Sequence, residues 1–171
     1  RHDLSPIAEP ILLSIESLSK QIVAYDKIIE ETAAERYPAA ARLREIPGVG
    51  PITSLSFVLM IENADRFSDN RDVGAWLGLV PRRDQSGDSD KQMPISKAGN
   101  RYLRRLLVQS AQYILGHFGP DCDLKRYGQR IAARGGKAAR KRAIIALARK
   151  LSVLMLALWK HEGNYEPLRG G

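Results

Sequence analysis

The sequence has 171 residues, with 27 Lys and Arg against 19 Asp and Glu for a net charge of +8, 44% hydrophobic residues and one cysteine. A chain of this length buries about 70% of its unfolded surface on folding, so it has room for one or two domains with a core, and its composition is not that of a disordered, membrane-bound or disulfide-stapled protein. Cys122 alone cannot close an intrachain disulfide, which fits a reducing compartment; His2, His117 and His161 are scattered rather than set at zinc-ligand spacing, and the longest apolar stretch, Leu151 to Trp159, is far short of the roughly 20 residues that cross a bilayer.

In the first segment Ile11, Ile15, Leu18, Ile22, Tyr25 and Ile29 step alternately by four and three residues. That spacing keeps an apolar seam on one face of a helix with a 3.5-residue repeat, the pattern of a coiled coil or helical hairpin. Pro10 suits the first turn and Pro38 ends the pattern, which predicts a helix of about 26 residues, roughly 39 Å long. Two readings follow: self-association through the seam, or a helix packed on its own domain. Arg1 in place of an initiator methionine points to a fragment.

Ile46-Pro-Gly-Val-Gly-Pro51 comes next, followed by the apolar run Ile52 to Ile61. Gly48 and Gly50 flanking Val49 predict a tight turn, and Pro51 at a first helical position restarts a helix, giving helix, hairpin, helix. Such a turn offers backbone N–H groups at a helix N-terminus, where a phosphate is favoured; equally, it serves as a connector between packed helices. Val49 is a buried wedge on either reading. Ser68 is the expected N-cap of a short helix through Leu77, with Asp69 and Asp72 in its first turn, Gly78 past its end and Trp76 in the core.

From Arg82 to Met93 there are almost no apolar residues, and Pro81 and Pro94 bracket the segment, so it reads as an exposed loop. Leu103, Leu106, Leu107, Ser110, Ala111 and Ile114 then mark the inner face of an amphipathic helix whose outer side carries Arg101, Arg104 and Arg105. A short helix around residues 123–134 and a final helix around 137–161 complete the chain, the latter with Lys137, Arg140, Lys141 and Arg142 in its early turns. The expected fold class is all-α: an N-terminal coiled-coil segment over residues 1–40 and a compact helical domain over 41–171.

Charge is unevenly placed. Residues 82–160 hold 18 Lys and Arg against 5 Asp and Glu, a net +13, while the rest of the chain is net negative. Such asymmetry is expected where one face meets a polyanion. No Walker loop, dinucleotide fingerprint or Ser-His-Asp order is present, and the carboxylates of the basic half are too few for a two-metal site. What remains is the loop Pro81 to Lys91, in which Ser86 precedes Gly87 among basic residues. Arg82, Arg83, Lys91 and Lys97 are suited to hold a phosphate. A serine hydroxyl needs activation by a base or an electropositive site, and no base is identifiable; on composition alone a Ser-Gly turn is a solvated loop.

Several blocks stand in order along the chain: Ile46-Pro-Gly-Val-Gly-Pro51, Arg66-Phe-Ser68, Trp76-Leu-Gly-Leu-Val-Pro-Arg82, Gln85-Ser-Gly87, Ile95-Ser-Lys-Ala-Gly-Asn-Arg-Tyr-Leu-Arg-Arg-Leu-Leu-Val108 and Ala146-Leu-Ala-Arg-Lys150. Over about residues 43 to 167 the sequence thereby resembles the C-terminal transposase domain of the IS-one-ten family of insertion-sequence transposases, the DEDD-type, bridge-RNA-guided recombinases. Residues 1–40 resemble the end of that family's central coiled coil. The resemblance implies a two-part enzyme: an RNase-H-like domain, absent from this chain, whose four acidic residues bind magnesium, and a C-terminal domain whose serine becomes joined to a DNA phosphate. Carried over, that serine is Ser86, although Gln85 and Asp88 depart from the commoner Ser-Ser-Gly-Gly form and Ser89 stands close by.

The resemblance further implies DNA and a guide RNA as partners, assembly as a homodimer or higher oligomer, and a prokaryotic cytoplasmic setting beside the nucleoid. On this reading Ser86 attacks, Arg82, Arg83, Lys91 and Lys97 hold the scissile phosphate, and Arg101, Arg104 and Arg105 contact neighbouring phosphates or guide RNA. No cofactor or metal is expected in this chain, magnesium belonging to the absent domain, and the fragment alone is expected to cut nothing. The competing reading from another class is a non-catalytic nucleic-acid-binding module. A third, a coiled-coil interaction protein, does not explain the +13 segment.

Overall fold

The computed structural model describes residues 5–86 and 89–168, with residues 5, 83–86 and 89–92 described by their backbone alone. Among the described residues the fold is mainly α, with seven helices and one two-stranded sheet. Helix α1 (Ser5–Arg36) is followed by α2 (Pro38–Leu43), α3 (Pro51–Ile61), a 3-10 turn (Ala64–Arg66) and α4 (Asp72–Trp76). The strands β1 (Pro81–Ser86) and β2 (Ser89–Ile95) precede α5 (Arg101–Leu115), α6 (Asp123–Ala132) and α7 (Gly136–Lys160).

Helix α1 has 32 residues, about 48 Å, and Pro10 lies inside it rather than at its start. Its seam is open: Ile11, Ile15, Leu18, Ile22 and Tyr25 are each more than half exposed. Only the C-terminal end of the helix meets the body, where Ala33 is buried and Glu30 accepts a 2.9 Å bond from Arg44. Of the two readings of the seam, packing against its own domain is therefore not what the fold shows. Pro38 ends the helix as expected, because it opens α2 at a position where its missing N–H costs nothing.

The body is arranged around α7, whose Leu147, Leu151, Met155 and Leu156 are fully buried. Leu103, Leu107, Ala111 and Ile114 of α5 pack against it, as the sequence periodicity required, together with Leu124 of α6 and Phe57 and Ile61 of α3. Each such leucine contributes about 1.5–3 kcal/mol by leaving water. Phe57 meets Trp159 edge-on at 6.5 Å, and Trp76, half-buried, meets Phe67 at 6.0 Å under the Arg66 guanidinium. Gly128 lets α6 lie close, since a Cβ there would stand 2.9 Å from Leu115 Cδ1. The C-terminal tail folds back: Tyr165 N–H donates to Glu45 and Asp123 N–H to Pro167. Burial pushes the Tyr165 hydroxyl above its usual range, with Cys122 beside it adding to the shift.

Two expectations are corrected here. The strands β1 and β2 form an antiparallel hairpin where a loop is expected; with almost no apolar residues the segment carries no alternation to announce it. The short helix α4 starts at Asp72 instead of following Ser68, because Asp69, not Ser68, makes the local turn by accepting from Arg71 N–H at 2.8 Å.

Candidate nucleic-acid interface

The hairpin that carries Ser86 is fastened at its foot. In register, Asp84 pairs with Lys91, Gln85 with Asp90 and Ser86 with Ser89, so Ser86 is the last β1 residue before the connection; Gly87 and Asp88 lie outside the described residues. The chain entering the hairpin and the chain leaving it cross closely. Ser96 N–H donates to Val80 C=O at 2.9 Å and Lys97 N–H to Gly78 C=O at 3.1 Å. The crossing requires glycine on both sides: a Cβ on Gly78 would stand 2.2 Å from the Ala98 oxygen, and one on Gly99 only 1.9 Å from the Trp76 oxygen.

Arg104 bolts this crossing together. Its Nη1 donates to Leu77 C=O at 2.9 Å and to Ala98 C=O at 2.8 Å, one carbonyl from each crossing strand. The guanidinium is thus turned inward from α5, which is held at its start by Asn100 Oδ1 accepting from Leu103 N–H at 2.9 Å. Lys97 sits at φ +56, a left-handed conformation that costs a non-glycine residue about 1–2 kcal/mol. Such strain marks sites where the surrounding structure over-determines the backbone.

The remaining sequence-predicted residues divide by exposure. Arg82 is exposed, with Nη2 at 3.5 Å from Ser96 C=O; Lys97, Arg101 and Arg105 are exposed, Arg105 lying over the Tyr102 ring at 5.5 Å. The side chains of Arg83, Ser86 and Lys91 lie outside the described set. Gly48, at φ +78, is pressed against α5, where a Cβ would stand 2.9 Å from Tyr113 Cδ1. Val49 is buried beside it, the expected wedge. Gly50 is exposed and has open space around it at the N-terminus of α3. The turn therefore serves as a packed connector through Gly48 and leaves Gly50 accessible.

Sequence reading missed a groove of about 1050 Å³ formed by the start of α4, the second half of α6 and the middle of α7. Arg71, Arg134, Lys141, Arg142, Arg149 and Lys150 line it together with Pro81, the first residue of β1, and among the described residues no carboxylate does. A signal existed in the spacing of α7: Arg142 and Arg149 are seven residues apart, about two turns, which puts them on one helix face. Arg71 and Arg134 come from other elements and left no such trace. Elsewhere in the basic half three cations have internal partners. Arg126 grips Asp121 with bonds of 3.1 and 2.7 Å, holding that carboxyl below the usual carboxylate range; Lys125 donates to Gly119 C=O and Lys160 to Phe67 C=O.

Residues 40–127 match the Transposase IS116/IS110/IS902 family. The chain belongs to that family. It is 36% identical over 124 residues to the transposase for insertion sequence element IS1111A of Coxiella burnetii, a match covering 72% of this chain and 34% of the relative. To the transposase for insertion sequence element IS1328 of Yersinia enterocolitica it is 35% identical over 115 residues, 65% of this chain and 34% of that one. To the pilin gene-inverting protein of Moraxella lacunata it is 31% identical over 128 residues, 74% and 38% respectively. The chain spans about a third of the length of these relatives. Within the transposase family match lie the two-glycine turn, the crossing glycines, the whole hairpin, Arg104 and the Arg71 edge of the groove; Arg134 and the α7 cations lie beyond it. Among the described residues no three of His, Cys, Asp and Glu come together as metal ligands, and no helix is long and apolar enough to cross a membrane.

Proposed function

We propose that this chain is the strand-exchange part of a DNA transposase or recombinase, with Ser86 as its nucleophile. The observation that carries the reading is the hairpin: a serine at the end of β1, on a ribbon whose foot is fixed by two glycine crossings and by Arg104. Ser86 Oγ bonds to the phosphorus of a phosphodiester while one bridging P–O bond breaks. The serine proton passes to a base, and the departing sugar oxygen takes up a proton. The reverse attack by another strand's sugar hydroxyl returns the serine and completes exchange. Arg82, Arg83, Lys91 and Lys97 neutralise the pentacoordinate phosphate, a use of fixed positive charge where negative charge develops. Arg101 and Arg105 contact neighbouring phosphates of DNA or of a guide RNA, and Gly50 offers its turn to another. Arg104 acts as a positioning residue, since its Nη1 holds both segments of the hairpin foot.

By the family resemblance magnesium would be held by the acidic residues of a further domain, and no step above runs through a metal. The full-length protein, given a nicked suicide substrate, should accumulate a phosphoserine-linked DNA adduct. Ser86→Ala should abolish it, and an adduct formed by that variant at wild-type yield would overturn the assignment. A non-catalytic nucleic-acid-binding module would instead recombine normally with Ser86→Ala and lose binding on charge reversal at Arg105.

The open seam of α1 supports dimerisation: Ile11, Ile15, Leu18, Ile22 and Tyr25 keep heptad spacing and remain exposed in a single copy. Light scattering should give twice the chain mass at micromolar concentration, reverting to one chain mass for Ile15→Lys combined with Ile22→Lys. A monomeric wild type would exclude the coiled coil.

A further inference from the structure

We infer that the groove between α4, α6 and α7 is a phosphodiester track that holds one strand of nucleic acid by its backbone. Six cations converge there, from Arg71 at the start of α4, Arg134 just past α6, and Lys141, Arg142, Arg149 and Lys150 on α7. Among the described residues no carboxylate lines the groove and none of the six enters an ion pair, whereas Arg44, Arg42 and Arg126 each have one. Six like charges gathered in one concavity repel one another and focus the field into it, raising the local concentration of an anion. A polyanion relieves that repulsion and releases its own condensed counterions as it binds.

The dimensions select a polymer over a small phosphate. From Lys141 to Lys150 is nine helical residues, about 14 Å of α7, or about four nucleotides at 3.4 Å per nucleotide along a strand. A single phosphate group would touch only a fraction of these cations. The walls between them are apolar, formed by Leu79, Ile145 and Val153, and the Tyr127 ring is covered by the Lys150 ammonium at 4.4 Å from its centroid. That ammonium occupies one face of the ring where a base would otherwise stack. The track therefore reads phosphates and carries no sequence preference.

Its placement relative to Ser86 rests on the proposed function; its binding does not. Pro81 lines the groove, and Ser86 stands five residues along the same strand, at most about 17 Å away. A strand lying in the track thus reaches Ser86 within about five nucleotides, so the groove holds the backbone next to the phosphate under attack.

The test is the salt dependence of binding of the 171-residue chain to a 20-mer, followed by fluorescence anisotropy, with duplex DNA, single-stranded DNA and single-stranded RNA as separate arms. The exposed residues Arg134, Lys141 and Arg142 are replaced together by Gln. If each contacts one phosphate, the slope of log K against log salt loses about 2.7 in magnitude on duplex and about 2.1 on either single strand; the arm with the tightest binding identifies the strand held. Lys20, Lys27 and Arg36 of α1, replaced by Gln, remove the same charge and leave the slope unchanged. Arg134→Lys with Arg142→Lys keeps the wild-type slope, which separates lost charge from lost fold. Equal losses in the groove and α1 variants, or no loss in the groove variant, would overturn the track. A mononucleotide binding as tightly as the 20-mer would also overturn it. Failure of Ser86→Ala to abolish the adduct leaves these slopes as they are, so the two readings fail separately.

Discussion

At the foot of the hairpin Arg104 Nη1 is held by two backbone carbonyls, while in the groove Arg134 and Arg142 are exposed and no carboxylate among the described residues faces them. Both regions draw on the same +13 segment, and both arginine sets look alike on a helical wheel as outward, basic positions. The difference lies in partners. A guanidinium holding two carbonyls fixes the shape of a backbone crossing, and a guanidinium without an internal acceptor is open to an external anion. Net charge therefore locates a cationic half, but only the hydrogen bonds of each cation separate residues held by the fold from residues left open to an external anion.

That contrast can be broken from the hairpin side first. Gly99→Ala puts a Cβ into the Trp76 carbonyl at a φ of +76 and should cost about 3 kcal/mol, lowering the midpoint of thermal unfolding by about 6–12 °C. Gly135→Ala has a φ of +88 but nothing within 4 Å of the new methyl, and should cost only about 1–2 kcal/mol. Calorimetry that finds the two variants equally stable would show that the crossing is not a constraint. Arg104→Ala is the finer test. In the full-length protein it should slow adduct formation by about a hundredfold, the scale of a 1 Å misplacement, while changing the salt slope of DNA binding by less than about 0.5. Arg104→Lys keeps the charge without the planar fork and should also be slow. A slope reduced by about 0.9 in Arg104→Ala would make it a phosphate contact like the groove residues.

Elements held by a buried face were legible in the sequence. The leucines of α5 and α7, the wedge Val49 and the Pro38 break all follow from periodicity or backbone chemistry and appear where those require. The hairpin was not legible, since Arg82 to Met93 has almost no apolar residues and so carries no alternation. Pro10 misled because a proline near a helix start also fits within the opening turns of a longer helix. Ser86 was found through the family's motif order, not through any local chemical signal. The groove required tertiary structure: its α7 cations had a readable spacing, but their convergence with Arg71 and Arg134, 63 positions apart, depends on how α4, α6 and α7 pack. The inward turn of Arg104 depends likewise on the crossing of two segments either side of the hairpin.

The most direct test of the account is to identify the atom that carries the DNA. The full-length protein is incubated with a nicked suicide substrate, the adduct is digested with nuclease and protease, and the modified peptide is sequenced by mass spectrometry. The account predicts a phosphodiester remnant on Ser86; a remnant on Ser89, on a tyrosine, or on no residue of the hairpin would contradict it.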